Sequence, residues 1–158
     1  MYHYTQCGLD NVWLDNGYEI KSTPYGKAVA VGDVDGLHAM LAATLAEKKG
    51  PLSGKEFRFL RVQLGLTQDA LASLMGVTEG ALSLWERKGS VPRVNDQMLR
   101  LMVLAQGDAK ASLARAMERV QTVDKLVNQR YVVRAGDRGR EVLVRPVRRP
   151  AGAALTSV

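Results

Sequence analysis

Between Ser53 and Pro92 the chain punctuates itself densely, and that punctuation restricts what it can fold into. Ser53 with Glu56 three residues later has the form of a capping box, the serine side chain and the glutamate each taking an orphan amide at a helix start. The helix opened there carries Phe57, Leu60 and Leu64 on one face and stops at Gly65. Thr67 caps a second helix, whose expected inner face is Ala70, Leu71 and Leu74. Gly76 and Val77 form a short break. Thr78 caps a third helix with Ala81, Leu82 and Trp85 inward, and Gly89, Ser90 and Pro92 end it. A fourth helix is expected from Asn95 to Ala105, with Met98, Leu99, Met102 and Val103 apolar. Short helices in succession, each with its own start and stop, describe a compact bundle.

The flanks read differently. Asn11–Leu14, Tyr18–Lys21 and Ala28–Val31 are short apolar or alternating runs separated by Asp15-Asn16-Gly17 and Thr23-Pro24-Tyr25-Gly26. Those turn residues predict a three-stranded meander. Asp33 caps a helix with Leu37, Met40, Leu41, Thr44 and Leu45 on one stripe, and Lys48-Lys49-Gly50-Pro51 is expected to end it with cations, glycine and proline in turn. Asp108 caps a longer helix carrying Leu113, Met117, Val120, Val123 and Val127. Strands are expected over 130–133 and 141–147 around Gly136-Asp137-Arg138-Gly139. The expected organisation is a small α+β module over 1–50, a helical domain over 51–107, a long helix with a basic hairpin over 108–149, and a flexible tail over 150–158.

Charge and composition narrow the function. Net charge is +6, distributed as −2 over residues 1–54, +3 over 55–129 and +5 over 130–158. A positive C-terminal two-thirds suits a polyanionic partner. The longest apolar stretches, such as Leu101–Ala105, are far below the ~20 residues of a membrane span, and the N-terminus lacks the basic start and apolar core of a secretory signal. The expected compartment is the cytoplasm, with no membrane partner. Cys7 is the single cysteine, which excludes an internal disulfide and a zinc site built on several thiolates. No metal and no cofactor is expected. Cys7, His38, Asp33 and Asp35 form no compact acid–base–nucleophile arrangement in sequence, so an enzyme is not expected unless a cleft brings two of them together.

The run from Leu66 to Arg87 has the spacing of a helix-turn-helix, with Ala72 small at a close crossing, Gly76 in the turn, and Val77 and Leu82 plugging the gap. It resembles the Xre or lambda-repressor-like DNA-binding family through its Leu-Thr-Gln, Leu-Ala, Gly-Val-Thr and Ser-aromatic-Glu elements, over about residues 54–105. With that resemblance the expected fold is α+β, mostly α: a four- to five-helix helix-turn-helix bundle with a small N-terminal three-stranded sheet plus helix and a C-terminal hairpin. The resemblance implies that the helix starting at Thr78 enters the major groove of double-stranded DNA with Thr78, Glu79, Gly80 and Ser83 at base edges. Glu79 can accept from a cytosine amino group and Thr78 can touch a thymine methyl. Gln68 is placed by the resemblance at a phosphate or an adjacent base, and Arg87, Lys88 and Arg93 at backbone phosphates. Glu86 and Arg61 resemble the family's structural pair.

Each assignment has a plainer counterpart. Gln68 and Thr78 also suit helix starts, Glu79 also suits a helix dipole while repelling phosphate, and Arg87 and Lys88 also suit solvated ends of a helix. More loosely, Tyr4, Cys7-Gly8-Leu9 and Asn16-Gly17-Tyr18 resemble the N-terminal half of MqsA-like antitoxins and regulators, whose paired zinc-binding cysteines this chain lacks. The functional expectation is a sequence-specific transcriptional regulator, a repressor binding an inverted repeat as a homodimer. The alternative is an antitoxin whose N-terminal module meets a toxin. The 108–149 stripe and its arginines are expected to pair two chains; the competing arrangement folds the helix back and adds the hairpin to the N-terminal sheet.

Overall fold

Four side-chain caps expected from the sequence close onto their helices: Asp33, Ser53, Thr67 and Thr78 each accept from the amide three residues ahead. These contacts are local, which is why residue type and spacing alone anticipate them. The structure is a computed structural model that describes residues 1–106, 129–136 and 139–146. The helices are α1 (Val34–Ala46), α2 (Gly54–Gln63), α3 (Gln68–Met75), α4 (Glu79–Lys88) and α5 (Arg93–Ala105). The strands are β1 (Tyr2–His3), β2 (Val12–Leu14), β3 (Tyr18–Thr23), β4 (Gly26–Val31), β5 (Gln129–Gly136) and β6 (Gly139–Pro146). The class is α+β, as expected. The helix expected over 108–127 and the tail from Pro150 lie outside the described residues.

The three-stranded meander does not form. β2 pairs antiparallel with β1 and parallel with β5, in a four-stranded sheet ordered β1-β2-β5-β6, while β3 and β4 make a separate two-stranded ribbon. The reason lies in the turn after β2. The Asp15 amide donates to the Val133 carbonyl at 2.9 Å. The Asn16 side chain donates to the Ala135 carbonyl at 2.8 Å and accepts from the Ala135 amide, so it pairs with β5 as an extra strand residue would. Gly17, at φ +77°, then turns the chain out of this sheet.

The C-terminal hairpin forms as β5 and β6, in register from Gln129↔Pro146 to Gly136↔Gly139. Its place is the one the hairpin has in the competing arrangement read from the sequence; the helix of that arrangement lies outside the described residues. It completes this chain's own sheet, and Tyr131, Val132 and Val133 are buried in doing so. Two of its arginines are drawn into internal pairs. Arg134 binds Asp15 at 2.9 Å, and Arg140 donates to the Gly32 and Asp33 carbonyls and meets the Asp33 carboxylate at 3.3 Å.

The core crosses the boundary expected near residue 50. Leu9 from the loop between β1 and β2, Leu14 from β2, Leu37 and Leu41 from α1, and Phe57 and Leu60 from α2 belong to one buried cluster. The α1–α2 connection is held from two sides. Asp96 on α5 accepts from the Leu52 amide at 2.7 Å and from Arg100 Nε at 2.6 Å, and the Arg100 guanidinium also donates to the Lys48 and Gly50 carbonyls. Lys48 is not a solvated cation ending α1. It points inward to Glu56 at 2.8 Å, with both side chains almost wholly buried. Removing one partner of such a pair strands a charge away from water, at a cost of about 3–5 kcal/mol.

Two other expectations are corrected. α5 begins at Arg93, two residues before Asn95, with Pro92 at the cap position and no side-chain cap bond. Proline's fixed φ, here −58°, already suits a helix start. On α3 the inward positions are Leu71 and Ala72, and Leu74 is 56% exposed.

Candidate nucleic-acid interface

Helices α3 and α4 are joined through Gly76 and Val77. Gly76 takes the left-handed conformation at φ +68°, and the Val77 amide donates back to the Ala72 carbonyl at 3.0 Å. This is the αL closure that glycine permits without strain. Thr78 then starts α4 from an extended conformation, its side-chain oxygen accepting from the Ala81 amide at 3.1 Å. The tight turn therefore fixes both the end of one helix and the beginning of the next.

α4 is anchored by its inner face. Leu82 is fully buried, Trp85 meets Phe57 edge-on with ring centroids 6.2 Å apart, and Glu86 sits below the surface. The Glu86 carboxylate accepts from Arg61 Nε at 2.6 Å and Nη2 at 3.2 Å, and from Gln68 Nε2 at 2.7 Å. Arg61 Nη1 adds a bond to the Leu66 carbonyl at 2.8 Å. One carboxylate thus ties α4 to α2 and to the start of α3. The bidentate guanidinium–carboxylate geometry fixes direction as well as distance. Where α2 begins, Gly54 packs against the end of α4 so closely that a Cβ would fall on the Glu86 carbonyl oxygen and 2.8 Å from that of Trp85.

The opposite face is open. Thr78, Glu79, Gly80, Arg87 and Lys88 are exposed, and Ser83 is half-buried. Gly80, Ser83 and Arg87 share the side of α4 opposite Leu82 and Trp85, Glu79 is exposed in the first turn, Thr78 is the cap residue ahead of it, and Lys88 is at the last turn. Arg93 is exposed at the start of α5. Gln68 is half-buried with its amide nitrogen already given to Glu86, so its first role in the fold is to hold the helix pair together. The sequence reading missed Leu84. It is 40% exposed between Ser83 and Trp85, four residues after Gly80, on the edge of the open face. Helical spacing from Gly80 could have identified it.

Of the residues considered for catalysis, Asp35 and His38 are near enough to interact electrostatically, and Cys7 and His38 both contact Tyr4. Tyr4 donates or accepts with His38 Nε2 at 2.9 Å, and His38 meets Phe59 edge-on, which makes His38 a packing residue at the seam between sheet and bundle. Burial holds its pKa below the usual value, with Asp35 opposing. Cys7 donates to the Tyr4 carbonyl at 3.6 Å, and burial pushes its thiol pKa up, which makes it a poorer nucleophile. An open cleft of about 390 Å³ lies between the 9–11 loop, the start of α2 and the end of α4, and its lining includes none of Cys7, Asp33, Asp35 and His38. Among the described residues no group of histidine, cysteine and carboxylates could hold a metal ion. No described helix is long and apolar enough to cross a membrane.

The helix-turn-helix family model matches residues 57–96, which span α2, α3 and α4 and enter α5. Over those residues the chain is similar to helix-turn-helix domains of the Xre/lambda-repressor-like kind, a domain family of DNA binding and transcription regulation. Comparison with curated proteins and with solved structures finds no significant match.

Proposed function

We propose that this chain is a sequence-specific repressor that binds an inverted repeat as a dimer, with α4 in the major groove. The observation that carries the reading is the division of α4 into two faces. Leu82 and Glu86 are locked into the bundle, while Glu79, Gly80 and Arg87 project away from it beside the half-open Ser83. A reading helix needs that rigidity, because base edges are distinguished by donors and acceptors held at hydrogen-bond distance.

In this reading the first turns of α4 meet bases and the basic residues meet phosphates. Thr78 commits its oxygen to the helix cap and offers its methyl group to a thymine. Ser83 and Glu79 supply polar contacts, and Gly80, with nothing within 4 Å of a would-be Cβ, lets the backbone approach closely. Leu84 adds an apolar contact at the edge. Arg87, Lys88 and Arg93 bind phosphates, and Gln68 supports the reading helix through Glu86 and reaches the same backbone. One such helix reads few base pairs, and a two-fold pair doubles the readout across half-sites about 34–36 Å apart.

The test separates reading from anchoring on a duplex selected from a random pool. Thr78→Ser keeps the cap oxygen and removes the methyl, and Ser83→Ala removes the hydroxyl. Each should weaken the selected duplex by about 1–3 kcal/mol with little effect on random DNA. Lys88→Ala should weaken both alike and lower the salt slope by about one unit. Equal losses on both duplexes for all three variants would show that α4 is not the reader.

A further inference from the structure

Among the described residues the β3–β4 ribbon has two strands and no third. A lone two-stranded ribbon is marginal in water, and its edges offer unpaired amides and carbonyls as a template for another strand. β3 is exposed from Glu19 to Thr23, and Ile20 stands 60% exposed. The strand is six residues long and carries neither a proline nor a bulge, and its two charges, Glu19 and Lys21, are of opposite sign, so together they do not repel a second copy.

The register decides which backbone groups face outward. Thr23 and Gly26 flank a two-residue turn and form the terminal pair of the ladder, followed by Ser22↔Lys27, Lys21↔Ala28, Ile20↔Val29, Glu19↔Ala30 and Tyr18↔Val31. A pair closing a two-residue turn exchanges hydrogen bonds, and hydrogen-bonded pairs alternate along an antiparallel ladder. Residues 19, 21 and 23 therefore turn their amides and carbonyls into the ribbon. Tyr18, Ile20 and Ser22 turn theirs out to the free edge.

We propose that this edge pairs with the same edge of a second copy, antiparallel about a two-fold axis through Ile20. The charges single out that register. Centred on Glu19 or on Lys21, the two-fold would set like charges directly opposite each other, which destabilises a sheet. Centred on Ile20, it sets Glu19 opposite Lys21 of the partner subunit and Lys21 opposite Glu19 of the partner subunit. Those are non-hydrogen-bonded positions, where side chains across a sheet lie closest. The same register places Ile20 opposite its own copy and Tyr18 opposite Ser22 of the partner subunit, so that every outward backbone group on these residues finds a partner. Ile20 and Val29 share one face of the ribbon, and the pairing extends that apolar face across the axis. The result is a four-stranded sheet shared by two chains. It supplies the two-fold symmetry used in the operator reading, yet it requires no DNA and stands or fails separately from it.

The test is sedimentation of the full chain without DNA over a concentration series. The wild-type chain should pass from monomer to dimer with rising concentration. Glu19→Lys and Lys21→Glu each place like charges across the axis twice, and each should weaken self-association about tenfold or more. An equimolar mixture of the two variants should recover a dimer, because one chain then carries lysine at both positions and faces glutamate at both positions of the other. Ile20→Pro removes an outward amide and should also yield a monomer, with the far-ultraviolet spectrum confirming that the fold persists. A wild-type chain that stays monomeric up to about 100 µM overturns the proposal. So does a dimer unaffected by the variants, or variants that fail to complement in mixture. A wild-type monomer whose β3 edge is protected only by an added foreign protein would overturn it in favour of strand addition by a different partner.

Discussion

The helix-turn-helix region and the β3–β4 ribbon use charge in opposite ways. In the first, the ion pairs Arg61–Glu86 and Asp96–Arg100 lie almost out of solvent, and each charged group makes several hydrogen bonds. In the second, Lys21 and Glu19 meet at 3.4 Å on a surface that leaves both largely exposed. A buried pair contributes little net attraction after desolvation but makes every alternative geometry costly. An exposed pair fixes almost nothing and remains free to exchange partners. The bundle therefore holds one orientation of α4, and the ribbon keeps an edge available.

Breaking the bundle's charge network should have the largest effect. Glu86→Ala leaves the Arg61 guanidinium buried and the Gln68 amide without its acceptor, and should cost about 3–5 kcal/mol in chemical denaturation. A loss below about 1 kcal/mol would show that the network is as replaceable as a surface pair.

The seam between sheet and bundle should respond to acid more gently. Burial lowers the His38 pKa from its usual 6.5, so the native state favours the neutral ring. The unfolded chain then binds the proton more readily. The resulting contribution is fully present above about pH 6.5 and is lost as pH falls through the lowered native value. Denaturation midpoints for the wild type should fall over this window more than those of His38→Gln, and identical profiles would remove His38 from the seam's energetics. The ribbon should show the smallest change: Ile20→Ser, measured on the monomer at low concentration, should alter stability by less than about 0.5 kcal/mol. A loss like that of Glu86→Ala would mean that the ribbon is part of the core.

What could be read from the sequence was local. Ser53, Thr67 and Thr78 announce helices because a cap reaches only three residues ahead. Arg61 with Glu86 was legible only through the family resemblance. The Asp96–Leu52 and Arg100–Lys48 contacts were not legible, since they join residues 44 and 52 apart and no period or spacing signals them. The sheet failed as a prediction for the same reason. Asn16 next to Gly17 has the composition of a hairpin turn, but the Asn16 side chain binds Ala135, 119 residues away. Leu74 fits a helical stripe and still faces outward, because Leu71 and Ala72 already fill the α3 contact. On the open face of α4, the exposure of Glu79 and Gly80 was legible from helix phase, and Leu84 was the exposed residue left out.

The central claim is that the open face of α4 reads DNA sequence, and selection from a random double-stranded pool with the purified 158-residue chain tests it most directly. The account predicts enrichment of one motif with two-fold-related half-sites, bound with an affinity that falls by roughly 0.9 log units per neutralised phosphate for each log unit of salt. The Ser83→Ala chain should enrich a motif relaxed at one position in each half. A pool that returns unenriched after selection, or a wild-type and a Ser83→Ala chain that return the same motif with the same affinity at every position, would contradict it.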